Sequence, residues 1–88
     1  MSSPQQQWDA WVDRACAALG VDPGTVDITA IHALTKRVAH NLDRPLAPVS
    51  SYILGVAVGI AAAENAVDPA TRDALLQRLL STVPDVAD

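Results

Sequence analysis

The chain has 88 residues, enough for one small domain and little more. Half of it is apolar, but the mix is sixteen Ala, ten Val, nine Leu and four Ile with no Phe, and the aromatic residues are Trp8, Trp11 and Tyr52. Ten acidic residues against six basic ones leave a net charge of −4, which argues against a general nucleic-acid binder, and the single Cys16 excludes an internal disulfide framework and suits a reducing, cytoplasmic compartment.

The opening Met-Ser-Ser-Pro-Gln-Gln-Gln has no basic residue before Arg14 and no apolar run, so no secretory signal is expected. Ser3 followed by Pro4 reads as an N-cap and first helical position, and Gly20 is placed to end that helix, giving a first helix over residues 4–19. At 100° per residue Trp8, Trp11, Val12, Ala15, Ala18 and Leu19 share one side, with Cys16 at its edge, while Asp9, Asp13, Ala17 and Arg14 take the other. The two tryptophans are therefore expected in the core or at its margin, and Cys16 reads as a small buried hydrophobe. Val21-Asp22-Pro23-Gly24 reads as a turn, with Asp22 capping one tight helical turn.

Asp27 can cap a second helix over residues 28–42, whose apolar arc holds Ile28, Ile31, Leu34, Val38 and Leu42. Lys36, Arg37, His40 and Asn41 lie opposite. Pro45 then stops the helix, because it disfavours a helical Arg44 and cannot donate a backbone hydrogen bond. No charged residue occurs from Leu46 to Ala63, and Pro48 and Ser50 mark the start of a third helix over residues 49–63, with Ser50 and Ser51 as hydroxyl caps. A helix apolar almost all round belongs at the centre of a bundle or in a membrane, and the bundle is expected: the run includes a proline and two serines and no basic cluster flanks it. Glu64 to Val67 reads as a linker and Asp68-Pro69 as a second cap-then-proline start. The fourth helix, over residues 69–82, aligns Leu75, Leu76, Leu79, Leu80 and Val83, Pro84 ends it, and Asp85 to Asp88 reads as a frayed tail. The whole is expected to be one all-α domain over residues 1–88, a small four-helix bundle with a central Gly/Ala-rich apolar helix sheathed by the other three.

Few residues suggest chemistry. His32 and His40 are eight apart, roughly 12 Å along a helix, too far to share a metal ion, and Lys36 stands between them. No phosphate-cradling loop, positioned nucleophile or orienting carboxylate can be inferred, so no catalytic, cofactor or metal residues are assigned and no enzyme activity is expected. Lys36, Arg37 and Arg44 are half of the positive charges and make a local patch that suits an acidic or phosphate group, or simply a solvated helix face. Ser51, Gly55 and Gly59, followed by Ala63, form a small-residue stripe on the third helix. Glycine within a helix costs about 1 kcal/mol relative to alanine, so the stripe points to close helix–helix packing, within the chain or across a homodimer.

Two stretches carry a family resemblance. The run from Trp11 through Asp13, Arg14, Cys16, Leu19 and Gly20 to Pro23 resembles the start of a small uncharacterised actinobacterial helical domain. Val38-Ala39-His40, then Arg44-Pro45-Leu46-Ala47-Pro48-Val49-Ser50-Ser51-Tyr52-Ile53-Leu54-Gly55 and on to Gly59, is similar to that family's most recognisable stretch, and the likeness extends from Trp8 to Leu80. Members of the family occur alone or fused to MobA-like nucleotidyltransferases that make molybdopterin guanine dinucleotide. The resemblance thus implies a non-catalytic accessory and protein-interaction domain in molybdenum-cofactor biosynthesis or molybdoenzyme maturation. Its partner would be a MobA-like nucleotidyltransferase or a molybdoenzyme, with no nucleic acid and no membrane involved, and it implies no catalytic residues. The expected partner surface is Arg37, His40, Arg44, Pro45 and Pro48, where the motif exceeds what bundle packing requires. The alternatives are a self-associating module that dimerises through the Gly55/Gly59 helix, and a binder of a small anionic ligand at the positive patch.

Overall fold

The computed structural model describes residues 3–64 and 69–85. Among them are four helices, α1 (Pro4–Leu19), α2 (Ile28–Asn41), α3 (Leu46–Ala63) and α4 (Pro69–Leu80), one 3₁₀ turn (Pro23–Thr25) between α1 and α2, and no strand. The chain is a small all-α four-helix bundle, as the punctuation of the sequence predicts.

Local capping chemistry fixes the first half. The Ser3 hydroxyl accepts the Gln6 N–H while the Gln6 side chain accepts the Ser3 N–H, a reciprocal capping box that satisfies two otherwise orphaned donors. At the other end Gly20 adopts φ 69°, and Gly20 N–H and Val21 N–H reach the Ala17 and Cys16 carbonyls, the paired closure that a left-handed residue permits. Asp22 accepts the Gly24 N–H at 2.9 Å and Asp27 accepts the Ala30 N–H at 3.0 Å, so each short-range cap sits where its residue type predicts. The proposed cap Asp68 and most of the linker before it lie outside the described residues.

The structure corrects three boundaries. α2 ends at Asn41, one residue early, where Leu42 leaves the helical region at φ −117°, ψ −88°. α3 begins at Leu46, three residues early, with Pro48 inside its first turn. The first four N–H groups of a helix have no intrahelical acceptor, so a proline there removes nothing. Ser50 and Ser51 are consequently not caps. Their hydroxyls donate backwards to the Ala47 and Pro48 carbonyls within the helix. α4 ends at Leu80, after which Thr82 N–H and Val83 N–H bond the Leu79 and Leu80 carbonyls at 3.0 Å in a tighter turn.

That turn delivers Val83 to the core. Leu34, which is wholly buried, Val38, Leu54 and Val83 form the buried cluster, and Val58, Leu75, Leu76, Leu79 and Leu80 pack around it. α3 packs against α2 and, less extensively, against α4, which makes it central to the packing. It is not the water-excluded element the sequence suggests: only Ser50 and Leu54 on it are buried, and Val49, Tyr52, Ile53, Val56 and Ile60 are exposed. The reason is that α1 does not close the bundle. It lies mainly against the 3₁₀ segment. Trp8 and Trp11, expected in the core or at its margin, are 46% and 62% exposed, with the Trp8 ring meeting His32 edge to face at 5.7 Å. Cys16 is buried, as expected.

Replacing Val83 with Ala removes two buried methyl groups from a four-residue core. It is expected to cost about 2 kcal/mol and to lower the urea midpoint at unchanged slope. A loss under about 0.5 kcal/mol would show that Val83 does not seal the core.

Candidate functional site

The five residues singled out by the sequence motif divide into two groups. Arg37 is committed within the chain: its Nη2 lies 3.1 Å from the Asp85 carboxylate, one turn of α2 from Asn41, whose Nδ2 donates to the Pro84 carbonyl at 2.8 Å. Both contacts hold the segment that carries Val83 into the core, so Arg37 and Asn41 form a tether. Asp85 is almost fully solvated, so that ion pair contributes little, and the Asn41 hydrogen bond is the stronger half.

His40, Arg44, Pro45 and Pro48 remain together at the α2–α3 turn, all exposed. The turn is wound by backbone bonds from Leu46 N–H to the Asp43 carbonyl and from Ala47 N–H to the Arg44 carbonyl, both 3.0 Å, which run it directly into α3. Among the described residues the side chains of His40 and Arg44 have no hydrogen bond or ion pair. Exposed Leu42 and Leu46 flank them and exposed Asp43 lies beside Arg44, so the turn presents a mixed apolar and charged surface stiffened by two prolines.

The small-residue stripe does something other than bring helices together. A Cβ added at Gly55 or Gly59 would meet nothing within 4 Å, so no close helix approach exists there within the chain. Ser51, Gly55, Gly59 and Ala62 instead form one wall of a cleft of about 480 Å³, faced by Val26, Ala30, Ile31 and Leu76. Arg72 lies at its edge. It reaches the Gly24 carbonyl at 3.4 Å and the Asp27 and Asp73 carboxylates at 3.9 Å, and its buried Nε has no hydrogen-bond partner. Asp22, Asp27 and Asp73 outnumber that guanidinium around the cleft, so its electrostatics do not favour an anion.

A further feature escaped sequence reasoning. Leu46, Val49, Ile53, Val56 and Ile60, all exposed, step along α3 by three and four residues and fall on one side of it. The row was hidden because α3 is apolar all round and residue size does not separate its sides: the inward positions 47, 50, 57 and 61 hold Ala or Ser, but the inward positions 54 and 58 hold Leu and Val. Among the described residues α3 is also the one helix long and apolar enough to cross a membrane, with 18 residues of mean hydropathy 1.8, of which 11% are buried in the fold.

The family model of a domain of unknown function, DUF6457, matches residues 3–88. No curated protein and no solved structure matches the chain.

The tether makes a separable prediction. Asn41→Ala is expected to destabilise the fold by about 1 kcal/mol and Asp85→Ala by less than about 0.5 kcal/mol in urea unfolding. The reverse order would assign the anchoring to the ion pair.

Proposed function

The chain belongs to the DUF6457 family, and we propose that it is a non-catalytic accessory domain that docks a protein partner through the α2–α3 turn. One observation carries this reading: the His40 and Arg44 side chains stand exposed on a proline-stiffened turn, flanked by exposed Leu42 and Leu46, with no hydrogen bond or ion pair among the described residues. Arginine can engage a carboxylate through two parallel charge-assisted hydrogen bonds, and it is enriched among residues that dominate binding energy. Pro45 and Pro48 limit the freedom the turn must lose on docking, which leaves more of the contact energy as affinity. Arg37, one turn back on α2, is paired with Asp85 at 3.1 Å in an exposed and therefore weak contact that a partner carboxylate can replace.

The resemblance of the Arg44-to-Gly59 stretch to domains fused to MobA-like nucleotidyltransferases supplies the context. We infer a cytoplasmic role in molybdenum-cofactor biosynthesis or molybdoenzyme maturation, with a MobA-like nucleotidyltransferase as the partner to test first. In this role the domain supplies contact and orientation, and the reacting groups belong to the partner.

Calorimetric titration of the full chain with the MobA-like nucleotidyltransferase of the same cell tests the reading. The His40→Ala/Arg44→Ala double variant is expected to weaken binding by at least about tenfold, and Lys36→Ala, on the neighbouring solvated face, by less than about twofold. Full affinity in the double variant removes this surface, and no binding by the unaltered chain removes this partner.

A further inference from the structure

We propose that the open face of α3 is an interface between two copies of this chain, packed on one another about a two-fold axis. It shares Leu46 with the docking turn but is argued from other observations, and it stands whether or not that turn binds the partner proposed above. Three observations converge on it.

The first is the shape of the face. Leu46, Val49, Ile53, Val56 and Ile60 form a row with the three-and-four spacing by which one helix seats the side chains of another. The row runs for about 21 Å at 1.5 Å per residue, so its natural complement is a helix rather than a compact ligand. It is also self-complementary. Around a two-fold axis near Ile53 and Val56, an antiparallel second α3 presents the same row in reverse, and each branched side chain enters the spacing between two others.

The second is the amount of surface left uncovered. The chain exposes 6361 Å², whereas a compact monomer of its 9.2 kDa exposes about 4,900 Å². The excess, which is spread over the whole chain and includes exposed Trp8, Trp11 and Leu19 on α1, is larger than the roughly 800 Å² that each partner buries in a standard interface. Its radius of gyration is 14.1 Å, against about 12 Å for a compact fold of this length. One principal extent is only 20 Å, beside 41 and 39 Å. A thin body with an apolar face is half of a sandwich. The chain's own α1 does not close it, because α1 is engaged at the 3₁₀ segment and the start of α2.

The third is charge. Sixteen charged residues occur in the chain and none lies between Leu46 and Ala63, so a second copy can cover α3 without desolvating an ion. A bilayer is the poorer complement. At 1.5 Å per residue α3 measures about 27 Å, short of a hydrocarbon core of about 30 Å. Its inner positions, including Ser50 and Leu54, are engaged in the fold, and the net charge of −4 opposes the anionic surfaces to which amphipathic proteins bind.

Light scattering and sedimentation of the full chain from about 1 to 100 μM test the proposal, with circular dichroism confirming that each variant stays helical. The unaltered chain is expected at twice its 9.2 kDa mass. Ile53→Glu, at an exposed position, is expected to keep the helical signal and weaken dimerisation by at least about 100-fold, by setting a charge in the seam. Gly55→Leu, on the cleft side, is expected to leave the dimer intact. Raising salt is expected to tighten association, because it screens the repulsion of two acidic copies while the contact itself is apolar. A monomer throughout the range, a dimer that survives Ile53→Glu, or a chain that floats with phosphatidylcholine vesicles would overturn the proposal.

Discussion

The sealing of Leu34 is the constraint on which the rest of the fold depends. Among the described residues it is the one large side chain fully removed from water, and the positions of three other segments follow from what they bring to it. α2 supplies Val38 one turn further on, α3 supplies Leu54, and the turn after α4 supplies Val83. A core of four aliphatic residues at its centre, in a chain with no Phe and with both tryptophans outside, stabilises by packing three helices and one turn around a single point. Nothing in it requires α1, which is why α1 can retain its own caps and its own amphipathic stripe while leaving the bundle open.

What could be read from the sequence divides along the same line. Ser3, Gly20, Asp22 and Asp27 act within three residues of themselves, so their capping roles were legible and the structure places each as expected. Burial was less legible because it depends on partners. The stripe of Trp8, Trp11 and Leu19 has the right period for a core face, but period says only that a face exists, not that something covers it. In α3 the failure has another cause. When every position is apolar the pattern carries no phase, and the inward side is chosen by the neighbouring helices rather than by polarity. Val83 falls on the fourth helix's apolar stripe and does reach the core, though by a tight turn after α4 whose backbone bonds run from Thr82 and Val83 to the Leu79 and Leu80 carbonyls.

The motif residues show how one short segment can serve both structure and recognition. Arg37 and Asn41 face the chain end and hold it. His40 and Arg44, three residues on from each, face solvent at the turn. Sequence spacing puts Arg37, His40 and Asn41 on one polar face with Arg44 just beyond the helix end and offers no means of separating them, since a cation in a tether and a cation awaiting a partner look alike until Asp85 is located. The distinction matters energetically: an exposed ion pair within the chain contributes tenths of a kcal/mol, whereas a guanidinium desolvated against a partner carboxylate can dominate an interface.

α3 combines two surfaces that a simple buried helix would not need. Along one side Ser51, Gly55 and Gly59 remove side-chain volume and leave a cleft, and along another Leu46, Val49, Ile53, Val56 and Ile60 add volume and leave a ridge. Each glycine costs helix stability, and each exposed branched residue costs solvation, so neither surface is explained by the folding of an isolated chain. The absence of any charged residue from Leu46 to Ala63 is what would let the proposed second copy cover this ridge without desolvating an ion.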